Sequence, residues 1–367
     1  MKNTKEQISS LILIFTVACF IECSSLLYTG IAGITNQDTW IAVITGFIFS
    51  LPIVWIFSAL CEKFPGKTLI EINDIIFGRI LGKIISSLYI FFFFTLCIIN
   101  SSLTGDFVID IILPETSKSV VLIMFIIVCV YAVRKGFETM TRYSMLMFNI
   151  ALIALIAAIL LLLNKSKLSN LQPMLSFPFI NYVQSTHQIS ELSFSNIFVF
   201  TMIFPSLKNP QKIKKPMFLG LIIGALFMLG VVLIDIVALG PAEALVAFPS
   251  FDVIRLIELD DVITRMDFAY EFPFLILFFF KVSILLYVTV KAIAQLFNIK
   301  SYKLLAPVVG ALVVLFSLSS YDSYIESTYI SANILPFYQA FFQLILPLIT
   351  LIIAAMRGFR KPAEVST

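Results

Sequence analysis

Between Ile8 and Met356 the chain alternates long apolar runs with short polar or basic interruptions. The runs are about 20 residues long, the length an α-helix needs to cross the hydrocarbon of a bilayer. Ten are drawn here, at roughly 8–28, 39–61, 84–105, 119–135, 143–163, 184–205, 216–239, 270–293, 304–320 and 335–356. Helix breakers mark several ends: Pro65-Gly66 follows the second run, Pro205 closes the sixth, Pro216 opens the seventh and Gly240-Pro241 ends it. The pattern predicts an all-α integral membrane protein with ten transmembrane helices. No linker or soluble domain interrupts it, so residues 1–367 read as a single transmembrane domain.

Composition strengthens that reading. The chain is 60% hydrophobic and 13% charged, with a mean hydropathy of +1.02, more apolar surface than a soluble core of this size could hide. The net charge of +3 carries no signal for nucleic acid, but its distribution sets a direction. With the N-terminus inside, the inner segments hold 18 Lys and Arg against 5 outside, with Lys281 and Lys291 within the eighth run, of 25 in all. The excess of basic residues in cytoplasmic loops then puts both termini in the cytoplasm. The start of the chain, with Lys2 and Lys5 ahead of an apolar stretch, resembles a signal peptide, but no small-residue cleavage site follows and it reads as an uncleaved first helix. Cys19, Cys23, Cys61, Cys97 and Cys129 form no CxxC pair and read as reduced packing residues, with no metal or cofactor implied.

Ten helices divide into two sets of five, about 8–163 and 184–356. An odd number per half inverts the second relative to the first, the inverted-repeat arrangement of many secondary transporters, whose ligand sits near the midplane where the first helix of each half is broken. Here those two helices carry matching polar interruptions. The first contains Glu22-Cys23-Ser24-Ser25, with Tyr28 beyond, and the sixth contains Glu191-Leu192-Ser193-Phe194-Ser195-Asn196. An interrupted hydrogen-bond ladder is tolerated in lipid only where the freed groups line a cavity or find protein partners, and serine hydroxyls supply local ones. The alternative is two continuous helices whose carboxylates bond to neighbouring helices. Lys281 sits deep in the eighth run, where a charge costs about 2.5–3.5 kcal/mol on insertion scales. It is expected either to neutralise Glu22 or Glu191 or to stand neutral and desolvated, facing a water cavity. Glu22, Ser24, Ser25, Tyr28, Glu191, Ser195, Asn196 and Lys281 are the candidate ligand-binding residues.

Other polar positions carry less. His187 lies near the outer end of the sixth run and reads as a surface residue. Asn100, Ser101 and Ser102 either line the cavity or bond to neighbouring helices. Asp106 and Asp235, near outer ends, are expected to be wet, and Phe91-Phe92-Phe93-Phe94 to face lipid. Residues 68–77 have a helical pattern within an inner loop. Phe251, Ile254 and Ile257 recur at helical spacing in an outer loop that runs from 241 to 269. Arg134, Glu138 and Arg142 could form an inner ion network, Glu138 and Arg142 being one helical turn apart. There is no phosphate-binding loop, HExxH or nucleophile elbow, which leaves an ATP-driven pump or an intramembrane protease without support.

Several local patterns, in order and at matching spacing, resemble one family over nearly the whole chain. They are Asp38-Thr39-Trp40-Ile41, Arg134-Lys135-Gly136-Phe137-Glu138 with Arg142, Asn170-Leu171-Gln172-Pro173, Phe204-Pro205-Ser206-Leu207-Lys208-Asn209, and Phe248-Pro249-Ser250 with Arg255 and Arg265-Met266-Asp267. The chain resembles the B subunits of GerA-type spore germinant receptors, the endospore germination permeases within the amino acid–polyamine–organocation transporter superfamily. The resemblance implies a LeuT-like five-plus-five fold with helices 1 and 6 broken at the ligand. It also implies residence in the spore inner membrane, assembly with an A subunit and a lipoprotein C subunit, and a small nutrient ligand such as an amino acid whose binding triggers germination. An active secondary amino-acid transporter using ion coupling is the alternative. Relatives of this fold often hold a sodium ion between helices 1 and 8, and Lys281 on helix 8 is expected to replace that cation. Ligand binding should then be equal in sodium and in choline buffer, and a sodium requirement that survives Lys281→Met would refute the substitution.

Overall fold

The computed structural model describes residues 7–25, 33–257, 268–321 and 324–359. The described residues are helical, with one isolated two-residue bridge and no strand. Helix α1 spans Ser10–Ser25, α2 Thr39–Lys63, α3 Leu69–Phe77, α4 Arg79–Phe107 and α5 Lys118–Lys135. They are followed by α6 at Phe137–Arg142, α7 at Ser144–Leu162 and α8 at Phe179–Ile189. Beyond Ile189 the winding changes twice without a loop, to a π-type turn at Ser190–Phe194 and a 3-10 run at Ser195–Met202. The remaining helices are α9 at Lys214–Leu239, α10 at Pro249–Arg255, α11 at Phe268–Leu296, α12 at Ala306–Leu318, α13 at Tyr324–Asn333, α14 at Leu335–Ala340 and α15 at Leu346–Met356, the last two joined through a π-type turn at Phe341–Ile345.

Among the described residues, six helical stretches are long and apolar enough to cross a membrane: 33–63, 79–112, 137–162, 214–243, 270–296 and 335–356. Ser10–Ser25 and Ala306–Leu318 are shorter apolar helices. The chain is an integral membrane protein. Its axis is α11, whose apolar window is 78% buried, the largest share among the six. Helices α1, α4, α5 and α7 pack around it.

α1 lies close against α9, and glycine makes the approach feasible. Gly220 and Gly224, one turn apart, face α1. A Cβ on Gly220 would stand 2.7 Å from the Ile14 carbonyl oxygen and from Val17, and one on Gly224 would stand 2.8 Å from Ile21. Small residues at four-residue spacing let helix backbones approach in lipid, where dispersion rather than water exclusion drives association. The two stretches with matching polar interruptions are also tied together at their basic end. The Ile8 amide donates to the Ser206 carbonyl at 2.8 Å, and the Lys208 amide donates to the Ile8 carbonyl at 3.1 Å. Nearby, Lys214 and Glu62 approach to 3.6 Å.

α3 starts with a capping box. Thr68 Oγ1 accepts from the Glu71 amide at 3.4 Å and Glu71 Oε2 accepts from the Thr68 amide at 2.9 Å. The same Thr68 hydroxyl donates to Gln295 Oε1 at 2.8 Å, which fastens this short helix to the end of α11. At the other end of the bundle, Phe251, Ile254 and Ile257 are all buried, as their spacing suggests, while 258–267 lie outside the described residues.

Three expectations need correction. Phe91 is 60% exposed, but Phe92 and Phe93 are fully buried, in an aromatic cluster where Phe92 stacks on Phe342 at 4.8 Å and Tyr89 on Phe198 at 5.4 Å. Four adjacent residues on a helix cover its whole circumference, so a Phe tract cannot face lipid throughout. Asp235 is buried rather than wet and accepts a hydrogen bond from Ser250 Oγ at 2.5 Å, because α10 folds over it. Asp106 is half-buried in an ion pair with Lys118 at 2.6 Å.

Gly220→Leu should force α1 off α9 and destabilise the protein by about 1–3 kcal/mol or more. The check is the thermal unfolding midpoint in detergent, with Gly230→Ala, whose Cβ meets only Leu155 at 3.3 Å, as the milder comparison.

Candidate functional site

Lys281 is 2% exposed, in the middle of α11. Its Nζ donates to Ser24 Oγ at 2.6 Å and lies 5.0 Å from the centroid of the Phe20 ring. Phe20 and Ser24 are one turn apart on α1, so both reach α11 from one face. A cavity of about 80 Å³ opens beside this contact. Its polar lining is Ser24, Asn100, Ser193, Asn196, Lys281, Ser331 and Gln339, and its apolar lining is Leu96, Ile99, Leu103, Leu192 and Leu335. The walls therefore come from α1, α4, the π and 3-10 turns after α8, α11, α13 and α14.

The change of winding after Ile189 delivers two of the polar groups. A π-type turn inserts an extra residue into the helix, and such turns are frequent at functional sites. Across it, Asn196 Nδ2 donates to the Leu192 carbonyl at 2.5 Å, so a side chain serves an irregular backbone. Asn100 Nδ2 serves the Leu96 carbonyl in the same way at 2.8 Å.

Gln343, in the π-type turn at Phe341–Ile345, stands behind the cavity. One edge of its amide lies 2.9 Å from Asn196 Oδ1 and 3.2 Å from Gln339 Oε1. The other edge of the amide lies 3.3 Å from Glu191 Oε2 and 3.2 Å from the Ser195 carbonyl oxygen. The sequence reading missed Gln339 and Gln343, although the signal was present: two amides one turn apart inside an apolar run, the same kind of interruption that picked out Glu22.

The candidate residues fall into three groups. Ser24, Asn196 and Lys281 meet at the cavity. Glu191 and Ser195 stand behind it, next to Gln343, and one oxygen of Glu191 has no hydrogen-bond partner. Glu22 and Ser25 do not line it: Ser25 Oγ donates to the Glu22 carbonyl at 2.6 Å, and both carboxylate oxygens of Glu22 are buried without a partner. The expected ion pair of Lys281 with Glu22 or Glu191 is therefore corrected to a hydrogen bond with Ser24. The reason is helical phase. Residues two apart are about 200° apart around a helix, so Glu22 turns away from the face that Ser24 offers to Lys281. Tyr28 lies outside the described residues.

At the basic end, Arg142 and Glu138 form the expected pair at 2.6 Å on α6. Arg134 is exposed at the end of α5 and joins neither, so the network has two members rather than three. His187 is half-buried, with its ring 5.0 Å from that of Phe337.

The fold and the buried polar cavity define a helical membrane protein. Superposition on solved structures bears this out. The chain matches MhsT in complex with L-phenylalanine with a TM-score of 0.70 at 13% identity, covering 95% of this chain and 89% of that one. It matches Mhp1, a nucleobase-cation-symport-1 family transporter with bromovinylhydantoin bound, with a TM-score of 0.67 at 12% identity, covering 99% and 95%. A family profile described as "Spore germination protein" matches residues 4–325, and the chain belongs to that family. Spore germination protein KB of Bacillus subtilis (strain 168) is 28% identical over 353 residues, 95% of each chain. Spore germination protein B2 of the same organism is 24% identical over 234 residues, 63% of each. The resemblance drawn from the short motifs holds.

Gln343→Leu should leave Asn196 and Gln339 without their buried partner, at a cost of about 1–3 kcal/mol. The thermal unfolding midpoint in detergent should fall accordingly, while Phe341→Leu, at a residue 41% exposed, should change it little.

Proposed function

We propose that this chain is the membrane-embedded, germinant-binding subunit of a spore germination receptor. The observation that carries the reading is the polar cavity at Lys281, enclosed within the apolar bundle of a spore germination family member. The fold is read as two inverted sets of five helices, in one transmembrane domain over residues 1–367. On this reading helix 6 is interrupted at the π and 3-10 turns from Ser190 to Met202, while helix 1 is continuous from Ser10 through Ser25 and the residues that follow lie outside the described ones. A small nutrient such as an amino acid occupies the cavity against Ser24, Asn196 and Lys281, with Glu191 and Ser195 supporting its wall. L-phenylalanine in the MhsT complex supports an amino-acid-sized ligand in this fold.

Binding acts only if it favours one of two conformations. The backbone pairing of Ile8 with residues 206–208, where helices 1 and 6 meet, is a natural element to respond. The exposed Arg134 and the Glu138–Arg142 pair offer a contact for a cytoplasmic partner domain. The receptor is read as sitting in the spore inner membrane with both termini in the cytoplasm, assembled with an A subunit and a lipoprotein C subunit.

A second reading, an ion-coupled secondary transporter, is favoured by the closeness of fold to Mhp1. Uptake of labelled amino acids into proteoliposomes containing the chain alone separates the two, since robust accumulation favours transport. For the receptor, spores carrying Lys281→Met should lose at least about nine-tenths of their germination rate toward a nutrient panel, with the protein still present by immunoblot. An unchanged response with normal protein levels would exclude the cavity as the germinant site.

A further inference from the structure

The charges around the cavity are lopsided, and this bears on what it binds. Lys281 brings three N–H donors, of which the structure commits one, to Ser24 Oγ. Among the described residues that line the cavity there is no carboxylate: Glu191 lies behind it against Gln343, and the Glu22 carboxylate is turned away on α1. The remaining described polar lining is neutral, and Asn100 and Asn196 each give one of their two amide N–H groups to a backbone carbonyl. The other walls are aliphatic, from Leu96, Ile99, Leu103, Leu192 and Leu335.

A ligand carboxylate entering this space meets a buried cation whose charge no other lining group offsets, and the two neutralise one another. A ligand ammonium meets only neutral acceptors and adds a second positive charge beside the first. Burying a charge is costly unless it is paired. We propose that the cavity is a site for short-chain monocarboxylates, held by the carboxylate on Lys281 Nζ and Ser24 Oγ with a short alkyl chain along the leucines, and that an α-amino group contributes little to binding. This rests on the reading of the cavity as the ligand site and narrows its ligand class. Lys281 would then have two partners in succession: Ser24 alone in the empty site, and Ser24 with the carboxylate when filled.

Binding is measured by calorimetry on the purified full chain in lipid nanodiscs and chloride-free buffer. The probes are butyrate, 2-hydroxybutyrate, 2-aminobutyrate, 2-aminobutyramide, propylamine and glucose. The three carboxylates are expected to bind within about tenfold of one another, and the amide and the amine not to bind. Lys281→Met should weaken all three carboxylates by about tenfold or more, the scale of a lost charged hydrogen bond, and Lys281→Arg should restore part of the affinity. Circular dichroism checks that each variant is folded; if Lys281→Met does not fold, Ser24→Ala takes its place, with a smaller uniform loss expected. The proposal is overturned if 2-aminobutyrate binds and butyrate does not, if propylamine or the amide binds as tightly as the acids, if folded Lys281→Met keeps full affinity, or if chloride displaces butyrate at equal concentration. Binding of glucose or propylamine alone leaves the cavity a ligand site and overturns only the carboxylate. Absence of binding by every probe overturns both.

Discussion

A lysine nitrogen held 2.6 Å from a serine hydroxyl, deep among apolar helices, is the interaction on which the rest of this structure turns. A cation in that position is tolerated only with partners or with space that polar groups can share. Both are present. Ser24 and the face of Phe20 receive Lys281, and beside them the bundle leaves a cavity lined by amides and hydroxyls. The contact also joins α1 to α11, the most buried of the long helices, so whatever enters the cavity acts on the bundle's axis.

Irregular backbone is the second constraint. Within lipid a helix cannot release its hydrogen bonds unless something else satisfies them. The π and 3-10 turns after Ile189 meet that condition through Asn196 on the Leu192 carbonyl, and Gln343 supports them from the facing π-type turn. Two irregular segments thus meet at one place, and that place is the back wall of the cavity. The close approach of α1 to α9 over Gly220 and Gly224 packs the turns of α1 that lead up to Ser24.

Much of the site was legible because polar residues in apolar runs are expensive and therefore conspicuous. Lys281, Ser24 and Asn196 stood out for that reason, and the structure brings all three to one cavity. The same signal overreached at Glu22, because a run of letters carries no rotation. Glu22 and Ser24 are neighbours in the chain and point to nearly opposite sides of α1. It fell short at Gln339 and Gln343, which are uncharged and blended into the last apolar stretch. Asp235 was assigned to water on its position near a helix end, whereas α10 covers it.

The sequence by itself determined that this is a helical membrane protein of the spore germination family, because apolar length and the order of short motifs are properties of the linear chain. It also determined which residues were costly enough to need a purpose. Only the tertiary structure decided which of them meet, since helical phase and the packing of one helix on another set the direction of every side chain. That is why Lys281 has a serine rather than a carboxylate for its partner, and why the described lining of the cavity beside it holds no carboxylate.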